Sequence, residues 1–75
     1  MDPKIHTALQ TVLREAKGGC AEYAKTYARA ALLRDMSGEE LRVQCLYVLT
    51  NLSHWRGKTA RAVKAKLKEA GHAST

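Results

Sequence analysis

Arg61, Lys64 and Lys68 fall three and four residues apart, and Arg56 and Lys58 precede them across Gly57. On a helix that spacing sets the three cationic heads on one flank. A row of guanidinium and ammonium groups can follow a phosphate backbone, with affinity driven by the release of condensed counterions. Gly57, Lys58 and the free amides of a first helical turn add a seat for an anion. The charge excess is concentrated in this segment. Residues 56–75 carry six cations against Glu69 alone, a net +5, whereas residues 1–55 supply only +1 of the total +6. An electropositive end on a near-neutral body calls for an anionic partner. The plain alternative is a solvated surface that keeps a small protein soluble.

Other chemistry finds little to work with. Cys20, Cys45, His6, His54 and His72 lack the close pairing that structural zinc requires, so no metal site is expected. No serine or cysteine has an evident base and orienting acid, and no glycine-rich loop follows a strand to hold a nucleotide. The expectation is a protein that is not an enzyme and carries no cofactor. Trp55, between His54 and Arg56, could stack on an exposed base or anchor a partner protein. A lone tryptophan in a small domain is more often a core plug. Tyr23 and Tyr27 lie one turn apart and read as packing.

Four helical segments can be read as the frame for that flank. In the first, Asp2 caps and Pro3 takes the first helical position, where its missing N–H costs nothing. Ile5, Ala8, Leu9, Val12, Leu13 and Ala16 recur at helical spacing until Gly18-Gly19 stops the run. The second runs from about Cys20 to Arg34, with Cys20, Ala24, Tyr27, Ala28 and Ala31 on its inner stripe. Ser37-Gly38-Glu39-Glu40 reads as a capping box for the third, the Ser37 hydroxyl accepting from the Glu40 N–H. Leu41, Cys45, Val48, Leu49 and Leu52 then share one face. Val43, Leu46 and Tyr47 stand off that face, which implies a helix surrounded by its neighbours or by a second copy. The fourth follows the linker 51–57, ends near Ala70 and turns Ala60, Val63, Leu67 and Ala70 inward. Helices three and four also suggest a helix-turn-helix, with Arg56, Lys58, Thr59 and Arg61 as readers of base edges.

The fold class expected is all-α, a compact bundle of three to four short helices in a single domain of residues 1–75, with 71–75 a frayed tail. Apolar content of 45% suits a globular chain, but the apolar residues are mostly small, Phe is absent and only four aromatics occur. A homodimer that extends so modest a core is therefore a further reading. The amino terminus is polar and the longest apolar run is far too short to cross a bilayer, so neither an export signal nor a membrane partner is expected. Cys20 and Cys45 then read as reduced thiols in a cytoplasm.

The run from Gly38 through Glu39, Glu40, Leu41, Tyr47, Asn51, His54, Trp55 and Arg56 to Gly57 resembles small uncharacterised helical proteins encoded by bacteriophages and prophages. The likeness continues through Ala60, Val63, Lys64 and Leu67 and leaves the first helix unmatched. It implies a setting inside a bacterial cell and supplies no functional residues. The reading that follows is a non-enzymatic binding module that meets nucleic acid through Arg56, Lys58, Arg61, Lys64 and Lys68. The alternative is an inhibitor or adaptor that docks on a host protein or defence complex through Val43, Leu46, Tyr47 and Trp55. A structural helical oligomer is the third.

Overall fold

Asp2 and Pro3 begin the first helix as their chemistry dictates. In the computed structural model, which describes residues 1–72, Asp2 Oδ1 accepts from the Lys4 N–H at 2.7 Å and Pro3 opens α1, Pro3–Glu15. Three more helices follow: α2, Ala21–Leu33; α3, Gly38–Thr50; and α4, Lys58–Gly71. No strand occurs among the described residues. The described residues form an all-α bundle of four helices.

Each helix packs on its neighbours in chain order, and α4 returns to α1 to close a ring. The diagonal pairs α1–α3 and α2–α4 make no close backbone approach. Leu9, Val12, Cys45, Val48, Leu52 and Leu67 fill the centre. On α2 the buried stripe is Ala21, Ala24, Ala28 and Ala31, so Ala21 replaces Cys20 and Tyr27, which are only half-buried. Leu49, expected on the inner face of α3, is half-buried as well. Alanines at that stripe hold side-chain volume low and let α1 and α3 approach closely.

Two expectations about helix ends need correction. Ser37 does cap α3 by position, but its hydroxyl makes no capping bond. Gly38 adopts φ +57, which turns the backbone away from the geometry a capping box needs. Glu40 reaches across the α2–α3 turn instead and pairs with Arg34 at 2.9 Å. At the other end, Gly71 belongs to α4 and is buried, rather than starting a frayed tail. A Cβ on Gly71 would collide with the Leu46 side chain, and the Gly71 carbonyl accepts from Arg42 Nη1 at 3.1 Å. The rest of the expected tail, residues 73–75, lies outside the described residues.

Both cysteines are free thiols. Cys45 is fully buried, and loss of solvation pushes its thiol up to about 11. An unfolded thiol releases its proton near pH 9, while the folded one holds it. Between those values the folded chain binds more protons, so stability must fall as pH rises from about 9 to 11 and be flat in this term below. Denaturant melts across that range should show the loss in the wild type and lack it in Cys45→Ala. An identical alkaline profile in the two proteins would refute the assignment.

Candidate nucleic-acid interface

The charged flank depends on how α4 is fixed, and two loop features fix it. After α3 the chain keeps winding: Asn51, Leu52 and Trp55 donate their N–H groups three residues back, to Val48, Leu49 and Leu52, at 3.0–3.1 Å. Leu52 and Trp55, three apart on this tight turn, both drop into the core. Gly57 then turns the chain at φ +118, a value that L side chains rarely adopt, and α4 begins.

On α4 the buried line is Ala60, Val63, Leu67 and Gly71. Arg61, Lys64 and Lys68 lie together on the adjoining flank, with Arg56 and Lys58 at its head. Lys64 is half-buried and the other four are exposed. Lys66 leaves by the opposite side, into a groove between α1 and α4 that it shares with Lys4, Thr7 and Thr11.

The pairing of charges separates this flank from the remainder of the surface. Arg14, Lys25, Arg34 and Arg42 each pair with a carboxylate: Glu15, Glu22, Glu40 and Glu39. The bond to Arg42 holds the Glu39 carboxyl below its ordinary range. Among the described residues no carboxylate pairs with any cation from Arg56 to Lys68. Lys4, Lys17 and Arg29 also have no carboxylate partner among the described residues, but they are scattered over α1, the turn after it and α2, whereas Arg61, Lys64 and Lys68 share one flank of α4.

Arg14 and Lys17, which the sequence reading left out, come into the same region. The last turn of α1, the 54–57 loop and the first turn of α4 surround a cleft of about 530 Å³, within the ~300–1,000 Å³ range of ligand sites. Arg14, Lys17, Arg56 and Lys58 line it against one carboxylate, Glu15. A second concavity, lined by Trp55, Arg56, Arg61 and Lys64, continues it along α4. A signal for Arg14 and Lys17 existed in the sequence, since both sit at the end of α1, but only the return of α4 to α1 gives it meaning.

Of the residues expected as a protein interface, Trp55 does not join the other three. Trp55 is only 5% exposed and belongs to the core, which removes it as a free anchor or stacking platform. Leu46 faces Gly71 on the α4 side of its helix. Tyr47, 51% exposed, leans the other way on Tyr27 of α2, with ring centroids 5.5 Å apart. Val43 lies between them, half-buried.

The helix-turn-helix reading also loses its geometric basis, because residues 51–57 separate α3 from α4 where that motif uses about three or four. Among the described residues no three His, Cys, Asp or Glu side chains gather to hold a metal ion, and no helix is long and apolar enough to cross a membrane. No protein-family model matches the chain, and no curated protein or solved structure is significantly similar to it.

Proposed function

We propose that the chain is a non-enzymatic module that binds nucleic acid through phosphate, using Arg56, Lys58, Arg61, Lys64 and Lys68 with Arg14 and Lys17 beside them. The observation that carries this reading is the asymmetry of pairing. Carboxylates pair with Arg14, Lys25, Arg34 and Arg42, whereas among the described residues no cation from Arg56 to Lys68 has a carboxylate partner. A set of unpaired cations along 10 Å or more of helix matches the spacing of charge on a nucleic-acid backbone rather than a single small anion. Recognition of base edges has no comparable support, so binding is largely indifferent to sequence.

Counterion release makes the test direct. With about four phosphates engaged, affinity for a mixed-sequence duplex or single strand falls roughly a hundredfold between 50 and 200 mM salt. Fluorescence anisotropy at four or five salt concentrations gives the slope. Absence of binding to both DNA and RNA at the lowest salt would remove the proposal. The docking alternative now rests on Val43, Leu46 and Tyr47 without Trp55, and the half-exposure of Tyr47 is its whole support. The phage or prophage setting stands on residues 38–67 alone.

A further inference from the structure

The cleft between the end of α1 and the start of α4 has properties that backbone tracking does not need. A strand running past the protein requires cations on an open flank, which Arg61, Lys64 and Lys68 already supply. The cleft instead draws its lining from three separate elements, α1, the 54–57 loop and the first turn of α4. Its charge is concentrated as well, with four cations facing one carboxylate that Arg14 already holds at 3.2 Å.

Neutral donors point to the same ligand. The cap residue of α4 is Gly57, which offers no side chain to its first-turn amides, and no acid stands in that turn. The N–H groups of Lys58, Thr59 and Ala60 are therefore open to an outside acceptor. Trp55 provides an independent indication. It is only 5% exposed, and its indole N–H has no acceptor among the described residues. Trp55 lines both concavities, so its ring forms part of the floor beneath these donors.

We propose that this cleft seats the terminal phosphate of a nucleic-acid strand, an inference that rests on the nucleic-acid reading above. A phosphomonoester at a strand end carries nearly two negative charges at neutral pH and three free oxygens, against one charge for an internal phosphodiester. It also projects from the chain end and so can reach the cationic groups of α1 and α4 together from within the cleft. The end phosphate takes the cleft, and the following nucleotides run along Arg61, Lys64 and Lys68.

The test compares one oligonucleotide in three forms, bearing a 5′-phosphate, a 3′-phosphate or hydroxyls at both ends. Binding is read by anisotropy from an internal label, against the wild type and a Lys17→Ala/Lys58→Ala variant. Both lysines are exposed and unpaired, so the variant keeps its fold. One phosphorylated end should bind about tenfold more tightly than hydroxyl ends, and the variant should bind all three forms equally, each more weakly than the wild type because Lys58 also serves the backbone-following set. Inorganic phosphate at millimolar concentration should compete with the preference and leave the hydroxyl form bound. Equal binding of all three forms by the wild type would overturn the end-phosphate assignment and leave the nucleic-acid reading intact. Failure of all three to bind would overturn both.

Discussion

Gly18→Ala should cost about 3 kcal/mol or more of folding stability. Two effects combine at this residue. Its φ is +114, a value that L side chains rarely adopt, and a Cβ there would lie 2.9 Å from His54 Cβ and 3.0 Å from the His54 carbonyl carbon. The obstacle is in large part backbone, so it cannot rotate away. Gly57 supplies the control. It has nearly the same φ, +118, but open space around the position of a Cβ. Gly57→Ala therefore reports strain alone, at about 1–2 kcal/mol. The excess in Gly18→Ala reports the contact between the α1–α2 turn and the α3–α4 loop. In a domain of this size the larger loss lowers Tm by roughly 15 °C. Thermal melts followed by circular dichroism measure both variants. Equal losses would mean that the two loops are not wedged together.

The second large effect is on binding. Reversing Arg61 and Lys64 to glutamate should weaken nucleic-acid affinity by about a hundredfold or more at low salt, and reduce the salt slope by about two. Each reversal removes an attraction and installs a repulsion on the flank that follows the backbone. Neither side chain has an ion pair or hydrogen bond to lose, so helical content should be unchanged. Total charge changes too, and a control must remove that contribution. Arg29 is exposed on α2 and likewise unpaired, so Arg29→Glu shifts net charge as much as Arg61→Glu does. A comparable loss in both single variants would assign binding to overall charge and not to the α4 flank.

The helices were legible because their signals are local. Asp2-Pro3, Gly18-Gly19 and Gly57 act within a turn of themselves, and the apolar spacing of α1 and α4 needs no partner to be read. What failed depended on another part of the chain. Ser37 has the composition of a capping box, but Gly38 at φ +57 and the pull of Arg34 on Glu40 decide otherwise. Gly71 looks like a terminator, yet Leu46 packs so closely that the helix carries it into the core. Trp55 sits among polar residues in sequence and is buried because the turn after α3 keeps it in phase with Leu52. For the candidate site, the α4 flank could be read from spacing alone. The contribution of Arg14 and Lys17 could not, since it arises from packing between helices at opposite ends of the chain.

That origin has a bearing on when the cleft comes into being. Three of the four helix pairings join consecutive helices and form across short loops, which favours rapid folding. The fourth, between α1 and α4, joins remote segments and bears the larger entropy of ring closure. A nascent or partly opened chain can display the cationic row on α4, whereas the cleft beside it appears only when the last pairing is made. On the proposed function, loose electrostatic capture precedes the finished fold, and discrimination by shape waits for it.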